Sequence, residues 1–152
     1  MKFNMDNKES TYISFYRGSL NYFKAIDIII NSNEDCPSDV SGFLVSHCLE
    51  LSLKAFLLSK GLDESRVIKI GHNLNDAWNK AVENGLPIDS SLFSWCDKLN
   101  SAHNRPFLFR YARTNTGLVT PSFKTSHFNL NKILDIVGQI LKLDRKGDFL
   151  EI

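Results

Sequence analysis

The side chains best suited to chemistry fall into four groups. His47, Glu50 and Lys54 are spaced i, i+3, i+7, so a helix carries them as one polar stripe. Glu50 could there orient Lys54 or His47, while an ion pair at the edge of a core helix explains the same spacing. His72 lies in Gly71-His72-Asn73-Leu74, at the opening of a helix. An imidazole titrates near neutrality and can take a proton from a 2′-hydroxyl or return one to a leaving oxygen. Capping of the helix start is its competing structural role. His103 and Arg105, just ahead of Pro106, form a second candidate acid/base and phosphate-binding pair, with an exposed loop as the plain alternative.

Arg110, Tyr111 and Arg113 make the fourth group. Guanidinium forks bind phosphate bidentately, and a neighbouring aromatic can stack on a base. Phe107, Phe109 and Tyr111 also alternate, which equally suits rings that pin a loop while the arginines between them stay solvated. The candidate acid/base residues are therefore His72 and His103, and the candidate RNA- or nucleotide-binding residues are Arg105, Arg110, Tyr111, Arg113 and Lys54. No cofactor or metal site is expected. The four histidines show no H-x3-H spacing and the three cysteines no C-x2-C, so a zinc site would need assembly from distant elements. Cys36, Cys48 and Cys96 read as reduced thiols.

The elements that must position these groups follow from periodicity. Residues 38 to 61 carry eleven apolar side chains covering most of a helical circumference, which only a helix packed on several sides tolerates. Ser38 is expected to cap this central helix, Asp39 to sit at its positive end and Gly61 to close it with a left-handed residue. A first helix is expected over 8–30, with Tyr12, Phe15, Tyr16, Ser19, Phe23, Ile26 and Ile30 as its seam. Residues 62–71 read as a connector. A third helix begins with His72 or Asn73 at the cap, a fourth covers about 90–102, and a last one covers about 129–143. Segment 103–127 has two prolines, one glycine and no helical period, so it reads as a long ordered loop. Trp78, Trp95, Phe23 and Phe56 are expected in the core. The fold class is all-α: an up-and-down bundle of four or five helices in one domain.

At 152 residues the chain is long enough for a continuous core without staples. Charge is segregated although the net is only +1: residues 1–97 hold nine Lys/Arg against thirteen Asp/Glu, whereas 98–134 hold six Lys/Arg and no acid. A local basic excess suits an anionic partner. No apolar run is expected to span a membrane and the N-terminus lacks a signal-peptide pattern, so the expected location is cytoplasmic.

The run Glu50-Leu-Ser-Leu-Lys54 through Gly61, the Gly71-His72-Asn73-Leu74 opening and the later Phe109-Arg110-Tyr111 together resemble the signature of HEPN domains, the helical family named for higher eukaryotes and prokaryotes nucleotide binding. The resemblance spans about residues 10–143. It implies a four- or five-helix bundle, often homodimeric, in a family tied to RNA cleavage, toxin–antitoxin pairs, phage defence and partnership with nucleotidyltransferases. Ribonuclease members carry an Arg followed four to six residues later by His near the start of the final core helix. Here the histidine after Arg105, Arg110 and Arg113 is His127, too far along. Arg66 and His72 have the spacing but precede the third helix, and are read as coincidence. The resulting expectation is a non-catalytic HEPN-like module that binds RNA, a nucleotide or a protein partner. The alternatives are a divergent metal-independent endoribonuclease and a purely protein-binding component that partners a nucleotidyltransferase or an antitoxin-like protein.

Overall fold

The apolar stretch predicted to be central forms α2, Ser38–Ser59, and it packs against every other α-helix among the described residues. The structure, a computed structural model, describes residues 5–111 and 118–151, with side chains from residue 11 onward. Among these residues the order is α1 (Met5–Ser32), α2, α3 (Glu64–Ile70), α4 (Leu74–Glu83), a 3-10 turn (Ser90–Leu92), α5 (Phe93–His103) and α6 (Phe123–Leu141). The fold is an all-α bundle in which α1 and α6 lie antiparallel to α2. An isolated β-bridge, Leu143 to Phe149, closes the turn after α6.

The all-round apolar character of α2 has the expected cause. Val45, Leu49, Leu53, Phe56 and Leu57 are buried against neighbours on different sides, and each such side chain contributes roughly 1.5–3 kcal/mol by leaving water. By length and composition α2 could also cross a membrane, contrary to the expectation that no stretch qualifies; it is instead mostly buried inside the bundle. Pro37, not Ser38, occupies the N-cap, and no side chain caps this end. Gly61 does close the other end with φ +93°, a conformation open to glycine without steric cost.

Polar ties fix the helices' registers. The Tyr16 hydroxyl donates to the Leu134 carbonyl at 3.2 Å, and the Ser19 hydroxyl donates to the Cys48 carbonyl at 2.8 Å. Trp95 Nε1 donates to Ser126 Oγ at 2.9 Å, joining α5 to α6. Trp78, Trp95 and Phe56 are buried as expected, whereas Phe23 is only partly so and lines an open cleft between α1 and α6. Cys48 and Cys96 are free and buried, Cys36 is free and half-buried.

Three boundaries differ from the sequence reading. The connector after α2 contains α3, a two-turn helix that buries Val67 and Ile70. The fourth helix starts with a 3-10 turn before α5. Most consequentially, α6 begins at Phe123, so the connection before it spans 104–122 rather than 103–127. Ser122 caps α6 by accepting from the Thr125 amide at 3.4 Å. The polar Ser126 occupies a buried position in the stripe Leu130–Ile133–Leu134, because Trp95 satisfies it. That substitution of a hydroxyl for a methyl hides the helical period.

Candidate functional site

The polar stripe of α2 meets the turn after α3 and the end of α5 at one point, the carboxylate of Glu50. Its side chain is 5% exposed. Oε1 accepts from His72 Nδ1 and from His103 Nε2, both at 2.8 Å, and Oε2 accepts from Lys54 Nζ at 3.2 Å. His47 Nδ1 lies 3.9 Å from Oε2, beyond hydrogen-bond reach.

Each partner arrives for a local reason. Gly71, at φ +58°, turns the chain after α3, and Lys54 Nζ donates to its carbonyl at 2.7 Å, which holds that turn against α2. Asn73 then takes the N-cap of α4, accepting from the Asp76 amide at 3.1 Å. The cap left open between His72 and Asn73 thus falls to Asn73, and the imidazole is free to bond Glu50. The first amide of α4, Leu74 N–H, donates to Asn100 Oδ1 on α5 at 2.7 Å, which sets the end of α5, and so His103, beside the Gly71 turn.

Burial pushes the Glu50 carboxyl pKa up. The hydrogen bond from His103, the charge of Lys54 and the hydrogen bond from His72 outweigh that and hold it at about 2. The group is a carboxylate near neutrality, and a carboxylate only accepts. Both imidazoles therefore donate to it, which leaves His72 Nε2 and His103 Nδ1 as the ring atoms not bonded to the carboxylate. His103 Nδ1 is buried with no partner among the described residues, as is His47 Nδ1. Such orphaned groups each cost about 1–3 kcal/mol. The His47 pKa is lowered, first by burial and then by its cationic and imidazole neighbours His103, Arg110 and His72, with Glu50 opposing.

An aromatic rim surrounds this centre. Phe43 stacks on His47 with centroids 5.6 Å apart, and Phe107 meets the His72 ring edge-on at 5.7 Å. The Arg110 guanidinium lies 5.2 Å above Phe43 and 6.0 Å above Phe107, so it bridges the rim. Phe109 is buried against Gly42, where any Cβ would overlap its ring. The close approach of this loop to α2 therefore requires glycine at 42.

The predicted residues divide accordingly. Lys54, His72, His103 and Arg110 come together around Glu50 and its rim. His103 is not on an exposed loop but at the end of α5 with 2% exposure, which removes it from contact with a large substrate. Arg105 and Tyr111 are exposed, so of the three alternating rings Phe109 pins the loop and Tyr111 does not. Arg113 lies outside the described residues. Arg66 lines a separate cleft with Lys69 and Lys80, apart from His72. Phe43 was not foreseen, although extending the stripe backwards by four residues from His47 reaches it. Nor did local spacing show that His47, Glu50 and His103 offer ligand atoms within 4.8 Å of one another, a possible metal-binding set assembled from distant elements.

What the arrangement can do is move a proton. His72 has a side chain 29% exposed, its Nδ1 anchored on a buried carboxylate and its Nε2 unbonded among the described residues. No family model, curated protein or solved structure matches the chain.

Proposed function

We propose that the surface formed by Phe43, His72, Phe107 and Arg110 takes an RNA phosphodiester, and that the Glu50–His72 pair cleaves it without a metal. The observation that supports this is the 2.8 Å bond from His72 Nδ1 to Glu50, which leaves Nε2 as the ring nitrogen not engaged by the carboxylate, on a side chain 29% exposed. In this reading Nε2 accepts the 2′-hydroxyl proton, and the freed oxygen attacks phosphorus as the P–O5′ bond breaks. Glu50 stabilises the imidazolium that forms and keeps the ring oriented. Arg110 neutralises the phosphate, and Phe43 and Phe107 hold it in place. The 5′ oxygen takes its proton from water, since His103 is sealed and His72 is already engaged. The resemblance to HEPN domains agrees with RNA as the ligand.

A second reading, binding of RNA or a nucleotide without chemistry, is favoured by that same sealing of His103, which leaves His72 as the partly exposed imidazole bonded to Glu50, where ribonucleolysis is best served by two acid/base groups. Labelled RNA incubated with the chain in EDTA separates the two. Cleavage that falls roughly 10²–10⁴-fold in His72→Ala is expected. Uncut RNA with salt-dependent binding weakened by Arg110→Ala leaves only the binding reading. Intact RNA with no binding even at low salt overturns both.

A further inference from the structure

Glu50 belongs to a second constellation besides its pair with His72. His47 from α2, Glu50 one turn later and His103 from the end of α5 converge, with ligand atoms within 4.8 Å of one another. Two imidazoles and a carboxylate with an open fourth position are a donor set of zinc-class ions. A tetrahedral ion with bonds of about 2.1 Å holds its ligands on the order of 3.5 Å apart. His103 Nε2 and Glu50 Oε1 are 2.8 Å apart, His47 Nδ1 is 3.9 Å from Oε2, and no two of the three ligand atoms are more than 4.8 Å apart, so side-chain adjustments on the order of 1 Å reach that geometry. The buried Nδ1 of His47 has no hydrogen-bond partner to give up. His103 coordinates through Nε2 once its ring proton sits on Nδ1, a buried atom that no neighbouring donor blocks.

We propose that His47, Glu50 and His103 bind a divalent transition ion of the zinc class. The ion competes for Glu50 with Lys54, whose ammonium lies 3.2 Å from Oε2, and with His72. Binding therefore withdraws the carboxylate that orients His72. On the phosphodiester reading, and resting on it, zinc is an inhibitor of the site rather than its cofactor.

The test is a zinc titration of the full chain against a chromogenic chelator, without RNA. One ion per chain is expected. His47→Ala weakens it by roughly 10–100-fold or more, with folding checked by circular dichroism, and Lys54→Met tightens it by about tenfold or more through loss of a competing charge. His72→Ala and the remote His127→Ala still bind. Zinc that does not bind, or binds equally to His47→Ala, overturns the proposal even if RNA is cleaved. Binding that follows this pattern upholds the site even if no RNA is cut. Where cleavage occurs, wild-type activity must fall as zinc occupies the site, and activity unchanged at full occupancy overturns the inhibitory role.

Discussion

Two places in this bundle combine a carboxylate, a histidine, an aromatic ring and an arginine, and they behave differently. At the cleft between α1 and α6, His127 Nε2 bonds Asp27 at 2.9 Å, stacks on Phe23 at 5.1 Å, and Arg145 covers the same ring at 5.2 Å. At the α2 centre, Glu50, His72, Phe107 and Arg110 repeat the inventory. The Asp27 side chain is 48% exposed, however, and that of Glu50 5%. Asp27 is one half of a surface pair, and Arg145 is taken up by Asp135 and Asn131. Glu50 is shared by two imidazoles and an ammonium, and its charge stays buried because several donors meet it at once. Residue types alone do not make a coupled cluster; removal of one carboxylate from water does, because it concentrates several donors on one acceptor and strengthens each interaction.

The strongest way to break this comparison is Glu50→Ala. It leaves Lys54 without its counter-charge and His103 Nε2 without its acceptor in a buried place, so unfolding in urea should show a loss of roughly 3–5 kcal/mol. A loss no larger than that of a surface pair would mean the centre is as solvated as the cleft. Gly42→Ala should cost about 1–3 kcal/mol, since Phe109 must move away from α2. On the RNA reading it should also weaken binding by displacing Arg110, whereas no described glycine approaches Phe23 or His127 at the cleft in that way.

Acidification sharpens the contrast. The folded pKa values of Glu50 and His47 both lie below their ordinary values. The unfolded chain thus binds more protons at these groups, and their contribution is complete above the unfolded values and lost as pH falls. For His47 the loss begins below the ordinary histidine value of 6.5, and for Glu50 it runs from 4.5 towards about 2. Urea midpoints measured from pH 7.5 to 3 should fall throughout, and His47→Phe should flatten the upper part of that slope. The smallest effect is expected at the cleft: Asp27→Ala should change stability by less than about 1 kcal/mol, read from the same denaturation curves.

Much of this was legible in the chain. The run 38–61 could only be a helix surrounded by others, because its apolar side chains leave no broad face for water, and Gly61 could only end it. The i, i+3, i+7 stripe placed His47, Glu50 and Lys54 on one side by helical geometry alone. The start of α6 was hidden because a buried Ser126 interrupts the apolar period, and nothing local reveals that Trp95 will satisfy it. Glu50 as the hub was equally hidden. Periodicity places a residue on a face of its own helix, but it does not say that Asn100 will draw the start of α4 onto α5, or that Lys54 will clamp the Gly71 turn. Those two long-range hydrogen bonds bring His72 and His103 to the same oxygen. The sequence by itself determined an α-helical bundle around one apolar rod with a polar stripe. The tertiary structure decided which side chains share that stripe's carboxylate, because burial and hydrogen-bond partnership depend on segments far apart along the chain.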